Sequence, residues 1–178
     1  MQTLILAVTF ILMVLVAPEG PYDRSSYGGW IDADGDCLNT RHEVLAAESL
    51  IPPTIIDCKV TVGLWYGLFT GKTFTDPKKL DVDHMVPLKE AEISGASLWS
   101  RERKRLYAND LSNPGHLLAV SAGANRSKGS RDVAKWLPSN LSFRCAYVKM
   151  WVEIKKRWGL SMDRAESNAV ESVLTLCD

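Results

Sequence analysis

Nothing in this chain of 178 residues repeats, and no tract is of low complexity, so a solenoid or fibrous array is excluded. The four cysteines form no C-x-x-C pair and lie far apart, which argues against a zinc centre. No segment resembles a helix dedicated to reading bases, so recognition of a particular nucleotide sequence is not expected. Net charge is also lacking, with 21 Lys and Arg against 21 Asp and Glu. The opening apolar run, Met1 to Ala17, is shorter than the roughly 20 residues a membrane span requires.

That run turns abruptly polar, as the apolar region of a secretory signal peptide does. We take residues 1–20 as a signal peptide, cut somewhere between 17 and 21, and 21–178 as one mature domain. Four cysteines then remain, Cys37, Cys58, Cys145 and Cys177. An even count in an exported chain suggests two disulfides. Three pairings exist, and Cys37–Cys58 with Cys145–Cys177 is favoured because each joins sequence neighbours. The zero net charge also resolves into parts. Residues 72–158 hold 17 Lys and Arg against 9 Asp and Glu, whereas residues 21–71 hold 3 against 7. A polyanion would be drawn to the middle of the chain.

Residues 21–29 read as a loop. Thr40 with Glu43 forms a capping box for a helix to about Ser49, and His42 on that helix is expected at the surface. Lys59 to Phe69 reads as a strand pair or irregular hairpin. Asp81 to Leu88 reads as a short strand, Lys89 to Gly95 as helix, and Ser100 caps a basic helix through Asn109. His116 to Ser121 is a second strand, after which Ala122-Gly123 turns the chain into a helix starting near Asn125. Ser142 to Trp158 is a long helix with Tyr147, Trp151, Ile154 and Trp158 at helical spacing, expected in the core. Ser161 caps a last helix to Leu176.

The chemistry concentrates in Leu80-Asp-Val-Asp-His-Met-Val-Pro-Leu88 and Ala124-Asn-Arg-Ser-Lys-Gly129. Cleaving a phosphodiester needs an activated water and neutralisation of charge building on the phosphate. An imidazole accepts a proton at neutral pH, which suits His84 as general base. Magnesium or manganese prefers oxygen ligands and retains waters, so Asp83 and Asn125 are candidate ligands. Asp83 and His84 are adjacent and would face opposite sides of a regular strand, so the strand must end or bulge there. Arg126 and Lys128, beside the expected helix start, are candidate phosphate-binding residues.

These two segments resemble the HNH, or ββα-metal, endonucleases, and most closely the nuclease half of GmrSD-type modification-dependent restriction enzymes. The likeness extends through Tyr22-Asp-Arg24, Trp30-Ile-Asp-Ala-Asp-Gly-Asp36, Thr40-Arg-x-Glu-Val-Leu45, Leu137-Pro138, Cys145-Ala-Tyr-Val148 and Trp151. It implies an α+β fold with a ββα-metal core and surrounding helices. It also implies His84 as base, Asp83 and Asn125 on one divalent cation, and products ending in 5′-phosphate and 3′-hydroxyl. Many relatives place a structural Asn where this chain has His116, which is expected to brace or pack the strand in its stead, the alternative being a second metal-facing group.

Asp32, Asp34, Asp36 and Glu43 fall at positions 1, 3, 5 and 12 of an EF-hand-like loop. Cys37 stands where glycine is expected, and a disulfide could impose that bend. Calcium binding is one reading, and a turn in which the Asp side chains bond their own backbone is the other. Arg41, with Glu43, is a further candidate for facing the cleft and contacting phosphate. Two N-glycosylation sequons begin at Asn125 and Asn140, and a glycan on Asn125 would block the metal site. The sequence thus points to a secreted, monomeric, magnesium- or manganese-dependent endonuclease acting on nucleic acid, preferably DNA, with no membrane association in the mature form; no protein partner can be inferred from it. A catalytically silent nucleic-acid-binding or calcium-binding module is the alternative.

Overall fold

A computed structural model describes residues 21–177, so the expected signal peptide lies outside the described residues. The chain opens with a 3₁₀ turn, Arg24–Tyr27, and then α1, Thr40–Ala47. Two small hairpins follow, β1 (Thr54–Ile56) with β2 (Lys59–Val62) and β3 (Trp65–Gly67) with β4 (Lys72–Phe74). Next come β5 (Leu80–His84), α2 (Leu88–Ile93), α3 (Arg101–Ala108), β6 (Leu117–Ser121) and α4 (Ala122–Lys128). Two longer helices, α5 (Arg144–Trp158) and α6 (Arg164–Leu174), close the fold. The result is a mixed α and β domain of small sheets, helices and two disulfides. Among the described residues no helix is long and apolar enough to cross a membrane.

The antiparallel pair β5–β6 organises the interior. Its register is regular, from Leu80 opposite Ser121 to His84 opposite Leu117. Side chains alternate in a strand and opposed residues share a face. Leu80, Val82, Leu117 and Ala119 therefore pack with Val44, Leu45, Val60 and Trp65 in one apolar cluster. Leu118 and Val120 join Phe69, Tyr147, Trp151 and Ile154 in a larger cluster on the other side. Asp81 and Asp83, opposite Val120 and Leu118, belong to that second face, and His84 to the first. The outer edge of β6 is covered by α1, where Glu48 accepts the Ala119 N–H at 2.9 Å. Burial pushes the Glu48 carboxyl up to about 7, with that hydrogen bond opposing.

Ser100 caps α3, as expected, by accepting from Arg103 N. The aromatic spacing of α5 also holds, with Tyr147, Trp151 and Ile154 buried in the larger cluster. Cysteines pair as Cys37–Cys58 and Cys145–Cys177, and none is free. The second bridge ties α5 to the residues after α6.

Several boundaries depart from the sequence reading. Asn39, not Thr40, caps α1, because its side chain reaches His42 N while the Thr40 hydroxyl is committed to Asn109. His42 is half-buried rather than a free surface residue, since its Nδ1 accepts the Val60 N–H at 3.1 Å. Asp163 rather than Ser161 caps α6. Asn140 donates its side-chain nitrogen to Leu68 O at 2.9 Å, so a glycan there would displace a contact of the fold.

Candidate active site

A cleft of about 350 Å³ opens where β5 ends, lined by Tyr22, Arg24, Asp83, His84, Lys89, Asn125 and Arg126 among others. Three residues singled out from two distant segments of sequence are thus brought to one place. The strand ends at His84 without a bulge, and that ending lets neighbours on opposite faces share the cleft.

His84 is buried, and its Nε2 lies 2.9 Å from the Ala108 carbonyl. A carbonyl only accepts, so Nε2 carries the proton and Nδ1 holds the free lone pair. Nδ1 makes no hydrogen bond among the described residues. The ring lies nearly parallel to Trp30 (centroids 5.2 Å, 11°) and to Tyr107 (6.3 Å, 9°), which fixes its plane. Burial pushes the imidazole down to about 3, reinforced by His116, Arg24 and Lys128 and opposed by the Ala108 hydrogen bond. It is therefore neutral throughout the physiological range.

Asp83 is also buried. Its Oδ2 accepts from Lys128 Nζ at 2.5 Å, and the same ammonium donates to His84 O at 2.8 Å. Burial pushes the Asp83 carboxyl up to about 6, with Lys128 opposing, so it is ionised at neutral pH. Oδ1 has no protein partner among the described residues. Asn125 donates Nδ2 to Asp81 Oδ2 at 3.0 Å. Because a carboxylate accepts only, this bond also fixes which amide atom is oxygen, and Asn125 Oδ1 is left free. The cleft thus gathers one unbonded imidazole nitrogen and two unbonded hard oxygens. That donor set suits magnesium or manganese, which take oxygen and keep waters, and no thiolate is present to favour zinc.

Three expectations need correcting. Lys128 is fully buried and spent on Asp83 and the His84 carbonyl, so it does not offer itself to a phosphate. Arg41 donates to the Pro77 and Leu80 carbonyls and lines a separate hollow with His42 and Lys59, away from the cleft. Helix α4 starts at Ala122, capped by the Ser121 hydroxyl on Ala124 N. Asn125 and Arg126 are therefore the fourth and fifth residues of α4 rather than its opening.

Sequence reasoning missed Asp81, Trp30 and the end of α3. Asp81 was detectable, being two residues before Asp83 and hence on the same face. The end of α3 was not. There, Ala108 O holds His84, Tyr107 O accepts from His116 Nε2 at 2.7 Å, and Asn109 binds the Trp30 loop through Gly29 O and Ile31 N. His116 is fully buried and does not line the cleft. It packs edge-on against His84 (6.3 Å) and Tyr107 (4.6 Å), which is the bracing position expected of it.

The acidic loop lies apart from the cleft. Carboxylate oxygens of Asp32, Asp34 and Asp36 come within 4.8 Å of one another, all three residues exposed. Asp32 accepts from Gly35 N and Cys37 N, Asp34 from Asp36 N, and Asp36 from Leu38 N. The self-bonded turn is therefore present. Cys37 has φ +77°, the conformation usually left to glycine, in the cysteine that bonds Cys58. Burial and then Asp36, Asp34 and Asp32 push the Glu43 carboxyl up.

Comparison with known proteins agrees with this arrangement. Residues 60–170 match the model of the C-terminal domain of GmrSD restriction endonucleases. An "Uncharacterized secreted protein" of Arthroderma benhamiae (strain ATCC MYA-4681 / CBS 112371) is 38% identical over 165 residues, spanning 91% of this chain and 80% of that protein. No solved structure matches. The chain belongs to the family of GmrSD restriction endonuclease C-terminal domains.

Proposed function

We propose that this protein is a secreted endonuclease with an HNH-type ββα-metal core, hydrolysing phosphodiester bonds of nucleic acid, preferably DNA, with little sequence preference. The carrying observation is that His84, Asp83 and Asn125 line one cleft, each with a side-chain N or O atom that has no hydrogen-bond partner among the described residues. Family membership supports the nuclease reading. Two disulfides and the secreted relative support export. The mature chain acts as a monomer.

In this reading Asp83 and Asn125 hold one divalent cation, magnesium or manganese, which supplies charge neutralisation at the phosphate and the leaving oxygen. His84 takes a proton from a water through Nδ1 while Ala108 keeps the other ring proton in place. The resulting hydroxide attacks phosphorus, the P–O3′ bond breaks, and the leaving oxygen takes a proton from solvent. The products carry 5′-phosphate and 3′-hydroxyl ends. Arg126 is the phosphate-binding residue on the α4 wall. Lys128 acts from within, holding Asp83 in its orientation.

Plasmid nicking with magnesium, with manganese and with chelator tests this, extended to single-stranded DNA and RNA. Cutting is expected with either metal, and none with chelator or with His84→Ala. A wild-type protein that cuts under no divalent metal, or His84→Ala cutting at the wild-type rate, would leave a silent nucleic-acid-binding module as the better description.

A second cation site, for calcium, is proposed at Asp32, Asp34, Asp36 and Glu43. Its support is the approach of three carboxylates within 4.8 Å and the glycine-like bend at Cys37.

A further inference from the structure

We infer that Arg24 is a substrate ligand, a guanidinium that grips a backbone phosphate in the cleft lined by Asp83, His84 and Asn125. The inference rests on the endonuclease reading above and adds to it the N-terminal turn as part of the substrate-binding machinery.

Four cationic side chains stand in or behind the cleft, and they are not equivalent. Lys128 is buried and neutralised by Asp83. Lys89 and Arg126 are exposed on α2 and α4. Arg24 is exposed on the 3₁₀ turn, 65 residues before Lys89 and 102 before Arg126, and lines the same cleft as Asp83, His84 and Asn125. It forms no ion pair among the described residues. The nearest acid in sequence, Asp23, is taken up by the Ser25 N–H at 2.8 Å and the Ser25 hydroxyl at 2.6 Å.

The turn that carries Arg24 is tied down on every other side. Tyr27 is fully buried, and its hydroxyl donates to Glu92 at 2.6 Å. Glu92 also holds Lys104 at 2.7 Å, whose ammonium lies 5.3 Å from the Tyr27 ring centroid. Tyr22 packs on Tyr27 at 6.5 Å, and Gly28 leaves the turn with φ +71°, a conformation costly for a side chain. A rigid mount thus places a guanidinium with no ion pair among the described residues, beside the Tyr22 hydroxyl, in the lining of the cleft that holds Asp83, His84 and Asn125.

A guanidinium binds phosphate oxygens in pairs, with two parallel N–H donors. Placed beside the base, it also adds positive potential where negative charge grows on phosphorus. Beyond the cleft, Arg101 on α3 faces Ser25 and Ser26 across a shallow hollow. Arg105 Cγ would touch a side chain at Gly28. The turn therefore sits between the cleft and a basic helix, along which a longer strand can continue.

The test uses the mature, disulfide-bonded chain. Arg24→Ala, Arg24→Lys, His84→Ala and, as a distant exposed cation, Arg164→Ala are compared in metal-dependent nicking. Binding of an uncleaved duplex is followed on the His84→Ala background across a salt series. Arg24→Ala is expected to lower kcat/KM by about 10²-fold to 10³-fold, the range for losing one transition-state donor. Arg24→Lys should recover part of that loss, and Arg164→Ala should match the wild type. The slope of log affinity against log salt should fall by about one with Arg24→Ala. Melting should be unchanged, because the side chain is exposed and unpaired. Wild-type cleavage or an unaltered salt slope in Arg24→Ala overturns the inference. So does a lowered melting point that lysine fails to restore, which would make the role structural. In each of those cases His84-dependent cutting leaves the endonuclease reading intact. Failure of the wild type to cut sinks both.

Discussion

The last turn of α3 holds two imidazoles in the same manner, and they serve opposite ends. His84 and His116 each direct Nε2 at a carbonyl, of Ala108 and Tyr107 respectively, and each is pushed down from its ordinary pKa chiefly by burial. Yet His84 lines the cleft with Nδ1 free, whereas His116 Nδ1 is buried without a partner. The difference comes from strand register. His84 is the final residue of β5, where the sheet stops and space begins. His116 precedes β6 and passes its backbone carbonyl to Met85 N at 2.9 Å, behind the first. A neutral imidazole fixed by a carbonyl is therefore not by itself a base; what lies beyond its second nitrogen decides.

Mutations can break or sharpen this contrast. The largest effect is expected for His84→Ala, a loss of about 10²-fold to 10⁴-fold in kcat/KM, the usual contribution of a general base, read in the nicking assay. Next is Lys128→Met, which leaves Asp83 buried without its counter-charge and should cost about 3–5 kcal/mol of stability in urea unfolding. Adding Asp83→Leu should restore the stability and not the cutting. His116→Ala removes a buried ring and one hydrogen bond, and should cost about 3 kcal/mol while leaving the rate within tenfold. Were it to abolish cutting at an unchanged urea midpoint, the contrast between the two histidines would collapse.

The pH profile gives a finer reading. Asp83, raised to about 6, loses its charge as the pH falls through that value, so cation binding and rate should decline below pH 6 and be recovered by more magnesium. His84, lowered to about 3, stays neutral over the same span and adds no decline of its own. An acid limb near pH 6.5 that ignores magnesium would contradict the role given to its environment. The smallest effect lies outside the cleft. Asp32→Ala should remove the heat of calcium binding in calorimetry and leave nicking unchanged, and equal heats from mutant and wild type would clear the loop of that role.

Much of the cleft was legible because its chemistry is local in sequence. Asp83 and His84 are neighbours, Asn125 follows the next strand, and the disulfides join the cysteines nearest in the chain. What escaped depends on contacts that sequence does not encode locally. Lys128 looked like a surface cation because lysine is rarely buried unless paired, and its partner lies 45 residues earlier. Ala122-Gly123 looked like a turn, since glycine weakens a helix. The Ser121 cap and the junction with β6 override that preference. Trp30 and Arg24 belong to a loop and a short turn with no periodicity; Trp30 is brought onto His84 by a loop that Asn109 holds, and Arg24 into the cleft by a turn that Tyr27 anchors. Arg41 was misassigned because an arginine near a proposed nuclease site suggests a phosphate ligand, whereas the backbone carbonyls of Pro77, just before β5, and Leu80, at its start, claim it.

The ammonium beneath Asp83 has a consequence for the life of the protein before it meets a substrate. A carboxylate in an apolar interior would ordinarily need its ion to be tolerable. Here the balancing charge is built into the polypeptide, on the helix directly after the second strand. The β5–α4 junction can therefore fold with this carboxylate already balanced, before any cation is bound. On the metal-dependent reading proposed above, acquiring the ion would then be a step separate from folding.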